Sequence, residues 1–146
     1  MESFFSEREK SLGYLVGVTA RLLGGHIGKR FSDNGIELTV EQWALLVRLW
    51  NQDGLTQQEL ATGLVLEKSS VSRLLDRLEK GGWVQREQDA GDGRQKRIRT
   101  TAKALAIRDQ SMDLVKSVLR EAQLDLSPDE QLVLRSLLLR VITTLM

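Results

Sequence analysis

Apolar residues near the start of the chain recur at helical spacing. Leu12, Leu15, Val16, Leu22, Leu23 and Ile27 repeat at intervals of three, four and seven, which predicts a long helix over 6–31 with one apolar stripe. Beside it runs a stripe of small residues, Gly13, Gly17, Ala20, Gly24 and Gly28. Each glycine costs ~1 kcal/mol against alanine inside a helix. The small stripe therefore reads as close approach by another helix, as room for a small molecule, or as a weak or bent helix with no further purpose.

Capping boxes then mark three helix starts, each pairing a hydroxyl with a residue three positions later. Thr39-Val40-Glu41-Gln42 opens a helix carrying Trp43, Ala44, Leu46, Val47 and Trp50 to about Asp53. Thr56-Gln57-Gln58-Glu59 opens a short one to about Leu64, after a tight turn at Asp53-Gly54. Ser127-Pro128-Asp129-Glu130 opens the last, with proline at its favoured first position. Between them, 67–80 reads as a helix ended by Gly81-Gly82. Trp83-Val84-Gln85-Arg86 and 96–100 read as two strands around a turn at 89–93, a hairpin with a longer loop. A further helix starts at about Ala102, with Leu105, Met112, Val115, Leu119 and Ala122 as its apolar seam. Leu134, Leu137, Leu138, Val141 and Leu145 give the final helix a similar face. The terminal helices thus carry more apolar surface than a small central module needs, which predicts a homodimer built by them.

The central order of helix, short helix, tight connection, helix and hairpin is that of a winged helix-turn-helix. The expected fold is mainly α with a small β-hairpin wing. Residues 35–101 form the reading lobe, and 1–34 with 102–146 the helical dimerisation region. In such a module the helix after the turn enters the major groove of DNA. At ~100° per residue, Val71, Leu74, Leu75 and Leu78 share one side of helix 67–80. Ser69, Arg73, Asp76, Arg77 and Lys80 spread over the other. Arginine pairs bidentately with guanine and also grips phosphate, while Ser69, Ser70 and Ser72 are small enough for close backbone approach. A solvated charged face would have the same look, so the wing decides. Arg94-Gln95-Lys96-Arg97-Ile98-Arg99 holds four bases in six residues. A hairpin of this kind can follow the phosphate backbone or enter the minor groove, although a charged hairpin can also merely protect a sheet edge.

Charge distribution supports the first reading. The chain carries only +1 overall, yet 67–103 holds ten lysines and arginines against six acids, or +4, and the remainder is −3. A basic segment in an otherwise acidic chain points to a polyanion. Lys68 at the helix start, Arg73, Arg77, Arg94 and Lys96 are the candidate contacts, with Thr56 and Gln57 meeting phosphate at the start of the short helix. The chain has no cysteine and one histidine, which excludes thiolate chemistry and disfavours a zinc site. No glycine-rich phosphate loop follows a strand. No catalytic, metal or cofactor site is expected. No apolar run approaches the ~20 residues that span a bilayer, and no signal-peptide pattern opens the chain. The expected location is the cytoplasm.

The stretch Gly54-Leu55-Thr56-Gln57-Gln58-Glu59-Leu60-Ala61, followed by Ser70-Val71-Ser72-Arg73-Leu74-Leu75-Asp76-Arg77-Leu78-Glu79-Lys80, resembles the MarR family of bacterial regulators. Leu38-Thr39-Val40-Glu41-Gln42-Trp43 matches the start of that family's reader. The wing Asp92-Gly93-Arg94-Gln95-Lys96-Arg97-Ile98, with Thr101 after it, is most similar to the SlyA branch. The resemblance is specific over 38–101; the outer helices match in position and character. It implies a two-fold dimer reading a palindromic operator in successive major grooves, with half-sites about 34–36 Å apart. It also implies a small aromatic or phenolic effector near the junction of reader and dimer helices. The family wing commonly reads Asp-Arg-Arg, so Gly93 stands where a second arginine would be, and minor-groove reading is weakened unless Arg94 takes over. The lack of cysteine rules out the thiol-based peroxide sensing that some members use.

His26 lies on the apolar side of the first helix with Thr19 and Leu22. It either hydrogen-bonds an acidic effector or is satisfied within a core or dimer interface, the commoner fate of such a histidine. Trp43 and Trp50, seven apart, read as core rather than a ligand cage. The rival functions are a winged-helix protein-interaction module, a constitutive regulator or counter-silencer without effector, and, weakest, an enzyme limited to carboxylate or lysine chemistry.

Overall fold

The computed structural model describes residues 10–91 and 93–146. Six helices and three short strands follow in the order α1 (Leu12–Asp33), α2 (Val40–Asn51), β1 (Leu55–Thr56), α3 (Gln57–Leu64), α4 (Lys68–Lys80), β2 (Val84–Gln88), β3 (Lys96–Thr100), α5 (Ala102–Ala122) and α6 (Pro128–Leu145).

The capping chemistry sets most of these bounds. Thr39 and Ser127 form complete capping boxes with Gln42 and Glu130. Thr56 caps only halfway. Its Oγ1 accepts from the Glu59 N–H at 3.2 Å but then donates to the Glu59 carboxylate at 3.0 Å. α1 starts at Leu12 rather than at residue 6. Ser11 is its N-cap, accepting from the Tyr14 N–H at 3.4 Å, and positions 6–9 of the expected helix lie outside the described residues. The wing is a three-stranded antiparallel sheet of order β1-β3-β2 rather than a two-stranded hairpin. Its extra strand, β1, pairs Leu55 with Ile98 and Thr56 with Arg97. Gly54 makes this possible. It sits at φ +78°, a left-handed backbone that favours glycine, with the movable Arg99 guanidinium packed over it.

The core lies in the reading lobe. Phe31, Leu45, Leu46, Leu49, Leu60, Val71, Leu75, Leu78, Val84 and Ile98 are fully buried or nearly so. The apolar side expected for α4 is the docked one, with Leu74 only partly buried. Trp43 and Trp50 are half-buried against this core, and Trp43 meets Phe31 with ring centroids 6.1 Å apart.

The seam of α5 differs from expectation. Ala104, Ser111, Val115 and Val118 are buried, whereas Leu105 and Leu119 stay exposed. Small residues let α5 lie close to the lobe, and the larger leucines are turned away from it. A polar tie crosses this contact at its buried centre. The Trp43 indole N–H donates to Ser111 Oγ at 2.9 Å, and Ser111 Oγ donates to the Arg108 carbonyl at 2.8 Å. Ser111→Ala would leave a partly buried indole donor without its acceptor. It is expected to lower stability by about 1–3 kcal/mol, read as an earlier midpoint in urea denaturation with unchanged slope.

At the other end of the α1–α5 contact, Arg30 donates to Glu121 at 2.8 Å and to Ser117 at 3.1 Å. Among the described residues, α6 buries none of its own and has no substantial packing partner.

Candidate nucleic-acid interface

α3 and α4 meet at their starts. Gln57 Nε2 donates to the Lys68 carbonyl at 3.3 Å, which joins the first turns of both helices. α4 begins at Lys68, after Glu67, whose extended backbone forms the cap without a side-chain hydrogen bond. Ser69 is exposed, and Ser70 and Ser72 are half-buried. Arg73 and Arg77 are exposed, with Arg73 Nη2 resting on Ser70 Oγ at 3.3 Å.

The wing lies beside these helix starts. A groove of about 350 Å³ runs between them, lined by Gln57, Lys68, Arg86, Arg94, Gln95 and Lys96, with Thr56 and Gln58 at its helical side. The fold therefore brings five of the expected residues, Thr56, Gln57, Lys68, Arg94 and Lys96, into one basic groove. Ser69, Ser70, Ser72, Arg73 and Arg77 lie along α4 outside its lining. Thr56 is buried and its hydroxyl is engaged on both sides in the cap, so its side chain positions α3 rather than reaching outward.

The four bases of the wing run divide into two jobs. Arg97 donates to the Gly54 carbonyl at 2.9 Å and pairs with Asp89 at 3.3 Å. Arg99 pairs with Glu87 across the strands at 3.3 Å. These two hold the sheet together, while Arg94 and Lys96 line the groove. The Gly91 N–H, foremost, holds the Asp89 carboxyl below the usual aspartate range; burial opposes it, and the Arg97 guanidinium adds to the lowering. A carboxylate stabilised in the folded state supports the fold above its unfolded pKa and loses that effect as pH falls through the folded one, so the Asp89 clamp gives way only in acid. Gly93 accepts from Gln88 Nε2 at 2.7 Å. A Cβ built on it would meet only that amide, at 3.8 Å, so the site has room for a side chain. Asp92, the first residue of the wing triplet, lies outside the described residues.

Arg86 is a groove residue that sequence patterning passes over. Its guanidinium pairs with Asp76 at 2.9 Å and Glu79 at 3.2 Å, and its side chain is 16% exposed. One guanidinium thus offsets one of the two carboxylate charges on α4, whose outer face also carries Arg73, Arg77 and Lys80. A signal is present: strand side chains two apart share a face, so Arg86 follows buried Val84 inward, toward a helix carrying two acids.

His26 is exposed on α1 and is not satisfied within the core of the chain. It lines an open groove of about 380 Å³ between α1 and α5, with Thr19, Leu22, Leu23, Val118 and Glu121. Among the described residues, no cluster of His, Cys, Asp and Glu is arranged to hold a metal ion, and no helix is long and apolar enough to cross a membrane.

A buried-backed helix after a tight turn, flanked by a basic antiparallel wing, defines the winged helix-turn-helix class of proteins. The MarR family model matches residues 38–96. The HTH-type transcriptional regulator TtmR of Methylorubrum extorquens is 38% identical over 49% of this chain, a match that spans only 37% of TtmR itself. The HTH-type transcriptional regulator YwoH of Bacillus subtilis is 33% identical over 65% of the chain and 67% of its own length. Among solved structures, the transcriptional regulator SlyA superposes with a TM-score of 0.85 at 25% identity, covering 93% of this chain and 94% of SlyA. A mutant MarR from Escherichia coli, crystallised with operator DNA, gives 0.82 at 27% identity, covering 89% and 92%. The chain belongs to the MarR family, with SlyA among its structural neighbours. That places it with transcriptional regulators, not enzymes.

Proposed function

We propose that the protein is a homodimeric, sequence-specific DNA-binding transcription regulator. α4 reads the major groove of each half of a palindromic operator, and the wing tip lies along the flanking backbone or minor groove. The observation that carries this reading is the groove in which Lys68, Arg94 and Lys96 converge beside the start of α4. Three cations around an open channel suit phosphates, and the exposed arginines of α4 suit base edges. The operator complex of the MarR mutant, which shares this fold, supports it.

The homodimer is supported by where apolar surface remains uncovered. Among the described residues, nineteen large apolar side chains are exposed, and seventeen lie on α1, α5, α6 or directly beyond their ends. A helix draws most of its stability from packing an amphipathic face, and α6 has no substantial packing partner among the described residues. The α1–α5 groove supports an effector, since its size suits a small molecule and His26 with Thr19 offers polar anchors in an apolar wall. An aromatic or phenolic acid is the proposed class. Such a ligand should raise the thermal midpoint of the protein; a panel of aromatic acids producing no shift would favour a constitutive regulator.

Selection from random duplexes at two salt concentrations tests the main reading. A recovered palindrome, bound less tightly as salt rises, is the expected result. Absence of binding at low salt would remove DNA as the partner. Arg94→Ala is expected to weaken operator binding more than Lys103→Ala in direct titration. Lys103 sits 4.2 Å over the Trp83 ring and donates to the Gly81 carbonyl at 2.7 Å. Its loss should register in stability, and equal affinities of the two variants would count against Arg94 as a contact.

A further inference from the structure

Of the nineteen exposed large apolar side chains among the described residues, only Val65 and Leu66 lie in the reading lobe, 65% and 41% exposed. They form the turn between α3 and α4. Val65 caps α3 at φ 55°, ψ 49°, the left-handed region, where a β-branched residue is strained and glycine is not. Stability would be served by glycine and solubility by a polar side chain, and the turn carries neither. Strain held at an exposed position is a reason to look for function there.

The pair borders a groove of about 550 Å³ whose other walls include Gln58, Lys68 and Ser70. Gln58 and Lys68 also line the wing groove, so the two are continuous around the start of α4. Their charges differ. The wing groove gathers Lys68, Arg94 and Lys96 beside the paired Arg86, whereas the turn groove sets Lys68 against Glu67 and carries no net charge. Phosphates suit the first. A neutral surface with an apolar lip and small polar walls suits base edges in the major groove, where thymine alone presents a methyl group.

We propose that Val65 and Leu66 are specificity-determining residues that pack on thymine 5-methyl groups at the edge of each operator half-site. This rests on the DNA-reading function proposed above and assigns a base preference to a part of the lobe outside α4.

The test replaces each operator thymine singly by deoxyuridine, which removes only the methyl. Affinities are measured for the full-length protein, for Leu66→Ser, and for Val65→Asn, a residue tolerant of the left-handed turn. Burial of one methyl corresponds to about a fourfold change. At one or two positions in each half-site, deoxyuridine should weaken the unaltered protein by about that factor and leave at least one variant indifferent. Thymine methyls that matter nowhere, or that matter to both variants as much as to the unaltered protein, overturn the assignment. A protein that selects no duplex motif overturns the DNA reading and this inference together. One that selects a motif yet ignores thymine methyls overturns this inference alone.

Discussion

Replacing Leu134 and Leu137 together by aspartate is expected to turn the proposed dimer into a monomer that no longer holds its operator. Both side chains are about half exposed in the single chain, 44% and 48%. Within one subunit the change is a surface substitution and should be close to neutral. In a dimer that covers α6 it buries unpaired charges, a large penalty. The reading lobe keeps its own core, which draws nothing from α6. Far-UV circular dichroism should therefore show loss of roughly one helix's content, because an isolated α6 has no stabilising surface. Sedimentation equilibrium should report the monomer. Operator affinity should fall by about 10²–10⁴, the gain that linking two sites normally confers. A variant that stays dimeric and binds as before would show that α6 is not at the interface.

The second large effect is expected at Arg73 and Arg77. Each alanine variant should lose about 1–3 kcal/mol of operator binding, roughly 10- to 100-fold, and relax base preference at one position per half-site. Lys96→Ala should behave differently. As a groove residue it should weaken all sequences alike and reduce the salt slope by about one. Random-duplex selection repeated with each variant separates the two behaviours. Recovery of an unaltered motif by both arginine variants would move base reading elsewhere on the lobe. The tie of Asp76 and Glu79 to Arg86 sharpens this expectation, since it offsets one of the two acids that would otherwise oppose the arginines on α4.

Much of this architecture is legible in the sequence, for identifiable reasons. Thr39, Thr56, Ser127 and Gly81-Gly82 are local signals whose chemistry acts within a turn or two, and the bounds of α2, α3, α4 and α6 follow them closely. The order of the lobe is legible because it needs only element types. Contacts between elements are not. β1 is two residues long, too short for alternation to show, and it exists because β3 offers it an edge. Periodicity misplaces the α5 seam because it counts large apolar residues, whereas the lobe selects Ala104 and Ser111 for close approach. That leaves Leu105 and Leu119 outward, where a partner subunit would meet them. Arg86 escapes notice because its acids are seven and ten positions away on a helix, and only the packing of β2 on α4 makes them neighbours. Of the expected DNA contacts, those around the wing groove converge, while the role of Arg73 and Arg77 rests on exposure and chemistry.

The same arginine has a mechanical consequence. Arg86 fastens α4 to β2, and Arg97 fastens β3 to the turn before β1. Helix and wing are thus joined as one jaw by contacts already present without DNA. What remains adjustable in the proposed dimer is the distance between two jaws, carried by α1 and α5 with few polar ties to the lobe. A displacement of one base-pair step, about 3.4 Å, would set both jaws out of phase with their half-sites while leaving each intact. An effector in the α1–α5 groove would then act as a change of gauge, and a mutant operator with altered spacing between half-sites should be bound best by the liganded form.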